Sequence, residues 1–155
     1  MYITIISVGK LKEEYWKILY EEYLKRINPY AKITVKEVIG VPFRNGDNLE
    51  KIKEIELTAI EKQIEKDSFV IFLKENGKEY SSVEFSKFLE KKTSTGQHIT
   101  FVIAGALGFA EKHIDLENSS LSLSKMTFPH KMARIVLLEQ IYRAITIKTG
   151  KKYHY

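Results

Sequence analysis

Short apolar runs alternate with amphipathic stretches along this chain of 155 residues. Residues 2–8 are β-branched and apolar and end at a glycine, which predicts a buried strand. From residue 13 to residue 27, apolar side chains recur at spacings of three and four, which places them on one face of a helix. Residues 33–39 partly alternate and predict a second strand. A loop is expected over residues 40–48, which contain a proline and a glycine.

The middle of the chain continues the alternation of strand and helix patterns. Residues 49–64 carry an apolar helical stripe with Glu and Lys between its members. Two uninterrupted apolar runs, residues 69–73 and 99–104, suit central strands of a parallel sheet that is covered on both faces. Between these runs, Ser81 and Glu84 have capping-box spacing and predict the start of a helix that continues to residue 91. This order predicts an α/β fold.

The last predicted helix differs from the others in having apolar side chains nearly all round. It should begin near Pro129, a residue suited to a first helical position, and end before Gly150. A helix on the outside of a monomer is expected to keep a broad polar face. We therefore expect this helix to be covered on a second side, either by more of its own chain or by a partner subunit, and we favour a homodimer.

Composition narrows the class of protein. The chain has no cysteine, which excludes disulfides and cysteine-ligated metal sites and fits the reducing cytoplasm. No segment approaches the roughly 20 apolar residues of a membrane span, and the apolar start is too short for a signal peptide. We therefore expect one domain, residues 1–155, with no membrane partner. The net charge of +5 permits a phosphate-rich partner.

Two segments have the character of ligand-binding loops. One contains Asn76, Gly77 and Lys78 after the strand that ends at residue 73, and the other spans residues 104–108 directly after a buried strand. Ligands of open α/β sheets gather beyond the carboxyl ends of strands, where glycine lets them approach the backbone. Two glycines three apart are also compatible with a simple strand-to-helix turn, and they do not complete a dinucleotide-binding fingerprint.

The most specific pattern lies in the last third of the chain. Residues 121–130 lead directly into the last helix, which carries Arg134, Glu139, Gln140, Tyr142 and Arg143. With the terminal residues 150–155, this stretch closely resembles the RlmH family of the SPOUT methyltransferases, which modify a pseudouridine of large-subunit ribosomal RNA. The strongest pieces of the resemblance are residues 122–130, residues 139–144 and the Tyr153, His154 pair. The resemblance extends over essentially the whole chain.

The resemblance implies a fold and a cofactor. The fold would be a SPOUT-type, mostly parallel sheet flanked by helices, with a C-terminal trefoil knot, in a chain that works as a homodimer. S-adenosylmethionine would lie in the knotted loops, held largely by backbone groups and apolar contacts. The residues implied to bind it are Leu73, Ala104, Gly105, Gly108, Leu123, Ser124, Lys125, Met126, Thr127 and Phe128.

The implied reaction places a methyl group on N3 of a pseudouridine in 23S ribosomal RNA, with the assembled ribosome as the favoured substrate. It needs in-line alignment of nucleophile and methyl group and removal of a proton, and it needs no metal. The catalytic candidates are His154, Tyr153 and Arg143, with His154 preferred for proton handling because imidazole titrates near neutral pH. The RNA-binding candidates are His130, Arg134, Lys151 and Lys152. Without the resemblance, His130 would read as a helix-start residue and the tail as a frayed terminus.

Two departures from the family pattern keep other functions open. Ala104 stands where the family usually has a first glycine, and Tyr155 stands where it tends to have a basic residue. Either a phosphate contact is lost at the tail, or Lys151 and Lys152 supply it. A non-catalytic ribosome-binding or assembly module is the main alternative, and a generic nucleotide-binding α/β domain is another. Binding of S-adenosylmethionine and methyl transfer to ribosomes separate the three.

Overall fold

A five-stranded parallel sheet forms the centre of the computed structural model, which describes residues 1–154. Its strands lie in the order β2, β1, β4, β3, β5, and every pair is parallel. The inner strands β1 and β4 are buried almost throughout, as their largely apolar sequences predict. The strands are β1 (Tyr2–Val8), β2 (Lys32–Val38), β3 (Phe69–Glu79), β4 (Ile99–Ile103) and β5 (Ser119–Ser122).

Four α-helices flank this sheet. Buried side chains of α1, α3 and α4 form one core cluster with the sheet, and those of α2 contribute to a second cluster. The predicted capping box at the start of α3 is confirmed, since Ser81 accepts from the Glu84 backbone and Glu84 accepts from the Ser81 backbone. The helices are α1 (Glu14–Ile27), α2 (Leu49–Glu61), α3 (Ser82–Thr93) and α4 (His130–Thr149).

The helix α4 packs against α1, α3 and the sheet of its own chain. Much of its all-round apolar character is explained by this packing, which was one of the two alternatives considered from the sequence. Its start differs by one position from the prediction, because Pro129 is an extended N-cap residue and His130 is the first helical residue. Its end at Gly150, which has a φ of 67°, agrees with the prediction. No helix in residues 1–154 is long and apolar enough to cross a membrane.

The edge of the sheet at β3 and β5 differs from the sequence expectation. Strand β3 continues to Glu79, and its pairing with β5 shifts register between Leu73 and Lys78. Gly77 belongs to this strand rather than to a free ligand loop. A Cβ atom there would lie 2.7 Å from the carbonyl carbon of Leu121, so the two backbones touch only because residue 77 is glycine.

Arg134 joins α4 to the carboxyl ends of β1 and β2. Its side chain is 1% exposed; it donates to Glu37 at 2.5 Å, to the Ser7 hydroxyl, and to the Gly9 carbonyl at 2.9 Å. The expectation that Arg134 holds RNA phosphates is therefore corrected, since its guanidinium is enclosed by protein partners. A charged group is retained in a core only when it is paired in this way.

We predict that Arg134→Met destabilises the protein by about 3 kcal/mol, because it leaves Glu37 and the Ser7 hydroxyl without their buried partner. Urea unfolding followed by circular dichroism measures the change. Lys148→Met is the matched control, because Lys148 also lies on α4 and its ion pair with Glu90 of α3 is long, at 3.6 Å, and exposed. Equal stability of the two variants would contradict a structural role for Arg134.

Candidate active site

A cavity of about 690 Å³ opens at the carboxyl end of β4, beside the middle of β3, β5 and the start of α4. Its walls are largely apolar, with Leu73, Ile103, Leu121 and Phe128 among them. This position agrees with the rule that ligands of α/β sheets bind beyond the carboxyl ends of strands. The volume lies within the range of about 300–1,000 Å³ that is usual for small-molecule sites.

The structure brings nine of the ten residues expected to bind the methyl donor to this cavity. They come from three separate stretches of the chain, and they are Leu73, Ala104, Gly105, Gly108, Leu123, Ser124, Met126, Thr127 and Phe128. Lys125 does not line it; its exposed side chain borders a neighbouring shallow depression with Glu75 and Asn76. Their roles in binding stay a prediction, whereas their convergence is a property of the fold.

Gly105 is required for a reason other than the one expected from the sequence. A Cβ atom at this position would lie 3.0 Å from Cγ1 of Val8 and 3.2 Å from Oε2 of Glu56. Neither of these side chains lines the cavity. The missing side chain thus lets the loop pack closely against β1 and α2, and the cavity wall is formed by its backbone.

The carboxylate of Glu56 explains how the loops around Gly105 are held. It is buried, and it accepts a hydrogen bond from the backbone of Val41 at 3.0 Å. The loop after β2 and the loop after β4 therefore rest on the same side chain. Glu56 was not predicted from the sequence, because its helical spacing is that of an ordinary face residue on α2.

His130 lies in the wall of the cavity, although the sequence analysis placed it among RNA-binding residues. Burial lowers the pKa of His130, and the cations of Lys131 and Arg134 lower it further. The imidazole is therefore mainly neutral near pH 7 and has a nitrogen that can accept a proton.

Other polar side chains in the wall were missed. Lys74, Glu75 and His113 line the cavity, and Lys74 and His113 are in hydrogen-bond contact although they lie 39 positions apart. The only signal in the sequence was that Lys74 and Glu75 directly follow Leu73. Within residues 1–154 there is no cluster of three or more side chains suited to holding a metal ion.

The C-terminal tail is docked on α4 of its own chain rather than frayed. Glu139 accepts from Arg143 at 2.7 and 2.9 Å and from the Tyr153 hydroxyl at 3.2 Å. The guanidinium of Arg143 also lies 4.8 Å from the centre of the Tyr153 ring, and its Nη1 atom is 3.4 Å from Nδ1 of His154. The three catalytic candidates are thus brought together.

Burial raises the pKa of Tyr153 to about 12, with a further contribution from its hydrogen bond to Tyr23 and from the charge of Glu139. Tyr153 therefore stays protonated at neutral pH and acts as a hydrogen-bond donor. The two tail lysines differ: Lys151 lies over the ring of Tyr30, with 4.5 Å to its centre, and Lys152 is exposed. Tyr155 lies outside the described residues.

The tail and the cavity of one chain lie near opposite ends of α4. The cavity includes His130 and Ala133 at the start of the helix, and the tail follows its last residue, Thr149. A helix of 20 residues is about 30 Å long. None of the catalytic candidates lines the cavity of its own chain.

A parallel α/β sheet, with a cavity built from the irregular middle of β3, the loop after β4 and the segment before the last helix, defines the class as a SPOUT-type methyltransferase. The family model described as "Predicted SPOUT methyltransferase" matches residues 1–154. The chain therefore belongs to the SPOUT methyltransferase family, and the fold class predicted from the sequence is confirmed. The trefoil knot stays a prediction.

Curated relatives narrow the family further. The chain is 46% identical over 158 residues to the ribosomal RNA large subunit methyltransferase H of Clostridium tetani, with 99% of each chain covered. It is 45% identical to the protein of the same name from Clostridium botulinum, strain Kyoto, also with 99% of each chain covered. The resemblance to the RlmH family stated from the sequence is thereby confirmed.

We predict that Gly105→Ala weakens binding of S-adenosylmethionine several-fold, because its Cβ would lie 3.0 Å from Val8 and 3.2 Å from Glu56 and these tight contacts displace the loop by a few tenths of an ångström. Calorimetry measures the affinity. Adding Val8→Ala to the same chain removes the closer contact and should restore part of it. Wild-type affinity of the single variant would refute this account of the loop.

We predict that Tyr153→Phe removes from the titration curve a tyrosine with a pKa of about 12. In Glu139→Gln, the pKa of Tyr153 should move towards the ordinary value of about 10, because the charge of Glu139 is gone. Tyrosinate absorbance against pH measures this. The folded pKa lies above the unfolded value, so docking of Tyr153 stabilises the fold below pH 10. That contribution is lost as the pH rises through about 12. If the tyrosine lost in Tyr153→Phe instead titrates near the ordinary value of about 10, the docked tail is contradicted.

Proposed function

We propose that residues 1–155 act as one methyltransferase domain that methylates N3 of a pseudouridine in 23S ribosomal RNA, on the assembled ribosome in the cytoplasm. The observation that carries the proposal is the convergence of nine expected donor-binding residues on one cavity at the carboxyl end of β4. The relatives are named ribosomal RNA large subunit methyltransferases, which supports the substrate class.

The residues of the cavity fit S-adenosylmethionine. Apolar side chains such as Leu73, Leu123 and Phe128 suit the faces of an adenine, and the backbone next to Ala104 and Gly105 offers hydrogen-bonding groups to its edge. S-adenosylmethionine supplies an electrophilic methyl group when bound. The protein's part is to hold the nucleophile in line with that group and to receive the proton from N3.

The separation of tail and cavity supports a homodimer. The tail carries His154, Tyr153 and Arg143, but these residues lie near the far end of α4 from their own cavity. Two chains with antiparallel α4 helices would bring each tail to the cavity of its partner. Exposed apolar side chains of α1 and α4 provide a face for such contact, and they are Tyr15, Ile18, Leu19 and Met132.

Within this site the proton affinity and the charge of each side chain indicate its role. His154 accepts the N3 proton, and Tyr153, which stays protonated, donates a hydrogen bond to the base. Arg143 holds phosphate together with Lys151 and Lys152 at the tail. Neutral His130 in the cavity wall is the second candidate for the proton, because burial favours its unprotonated form.

We predict that the protein transfers label from S-adenosylmethionine to 23S RNA of ribosomes that lack the modification. His154→Ala should slow transfer by about 10²- to 10⁴-fold, the usual contribution of general base catalysis, while donor affinity stays nearly intact. His130→Ala is the comparison that assigns the proton acceptor. Donor binding and ribosome association without transfer would instead establish the non-catalytic assembly module, which Ala104 and the altered tail favour.

We predict that two inactive variants, Gly105→Leu and His154→Ala, restore activity when their subunits are exchanged. Each mixed dimer has one cavity with an intact glycine facing one intact tail. Random exchange makes half of the dimers mixed, so about one quarter of the sites are active. If the tail serves its own chain, the mixture stays inactive, and a monomer in sedimentation would also refute the proposal.

A further inference from the structure

A cluster of three ionisable side chains forms the polar side of the cavity. Nζ of Lys74 lies 2.6 Å from Oε2 of Glu117 and 3.1 Å from Nε2 of His113, and His113 lies 3.1 Å from the same carboxylate oxygen. All three side chains are mostly buried, with 21%, 13% and 16% exposure for Lys74, His113 and Glu117. Lys74 and His113 line the cavity, and Glu117 stands behind them.

The contacts around His113 fix the orientation of the lysine. Nδ1 of His113 lies 2.8 Å from the Ala110 carbonyl and donates to it, so the ring is held with Nε2 facing Lys74 and Glu117. The ring also stacks on Phe109, with 5.5 Å between centres. Because an ammonium has three donors and Glu117 and His113 use two, one N–H of Lys74 remains for a ligand.

The positive charge of Lys74 indicates which part of the ligand its free N–H group contacts. Lys74 is the only lysine or arginine that lines the cavity within residues 1–154, while the walls around Leu73, Leu123 and Phe128 are apolar. S-adenosylmethionine carries a single anionic group, the carboxylate of its amino-acid part. A mostly buried ammonium gains far more from a carboxylate than from a purine or a ribose.

We propose that Lys74 binds the amino-acid carboxylate of the methyl donor and so makes the site specific for sulfur nucleosides that carry an amino acid. Glu117 and His113 are positioning residues that hold its ammonium at the cavity wall. The inference rests on the proposed function, since it takes S-adenosylmethionine as the ligand, and it adds a specificity determinant that is separate from the adenine-binding loops.

Three ligands test the proposal by calorimetry with the full chain. S-adenosylmethionine and S-adenosylhomocysteine carry the carboxylate, whereas 5′-methylthioadenosine has the same nucleoside without the amino acid. Lys74→Met should weaken the first two by about ten- to a hundredfold, the loss expected for a charge-assisted hydrogen bond. Binding of 5′-methylthioadenosine should change less than about twofold. Lys78→Met is the matched control, since Lys78 lies on the same strand outside the cavity and over the Tyr80 ring.

Each other outcome has one meaning. If wild-type protein binds none of the three ligands, the proposed function fails and the inference fails with it. If wild-type protein binds them and Lys74→Met weakens all three equally, Lys74 supports the cavity only through packing, and the specificity proposal is overturned. Unchanged binding of all three with weaker ribosome binding would assign Lys74 to RNA and would also overturn it.

Discussion

The buried guanidinium of Arg134 is the interaction on which the arrangement of this chain depends. It joins the first turns of α4 to the ends of β1 and β2 through Glu37, Ser7 and Gly9. Its Nε atom has no hydrogen-bond partner within the described structure, so burying this N–H group costs free energy of folding. Fixing the start of α4 at the sheet fixes the cavity beside His130, and the rigid helix then determines where the tail emerges.

Strong local signals made most of the fold predictable. The apolar runs that became β1 and β4 and the capping box at Ser81 each depend on a few neighbouring residues, and the structure reproduces them. Strand β5 was not predicted, since Ser119, Ser120 and Ser122 have weak strand propensity. It forms because the backbone of β3 supplies its hydrogen-bond partners, and that information lies some fifty positions earlier in the chain.

The site was predictable where it follows the family pattern and not where it depends on packing. The expected donor-binding residues from three separate stretches of the chain lie around one cavity. The family resemblance had indicated these stretches together. Arg134 was assigned to RNA because the sequence around an arginine does not reveal whether a distant carboxylate, here Glu37, will pair with it inside the protein. The contact between Lys74 and His113 likewise exists only after β3 and the segment following β4 are brought together.

The break in the ladder between β3 and β5 determines which residues of β3 line the cavity. In a regular strand successive side chains point to opposite faces, so two neighbours cannot serve one pocket. Here four consecutive residues, Leu73, Lys74, Glu75 and Asn76, all border the same space, because the chain leaves the ladder after Leu73 and rejoins it at Lys78. A local irregularity thus brings an apolar, a cationic, an anionic and an amide residue to one cavity. A regular strand would turn every second one of these residues to the other face of the sheet.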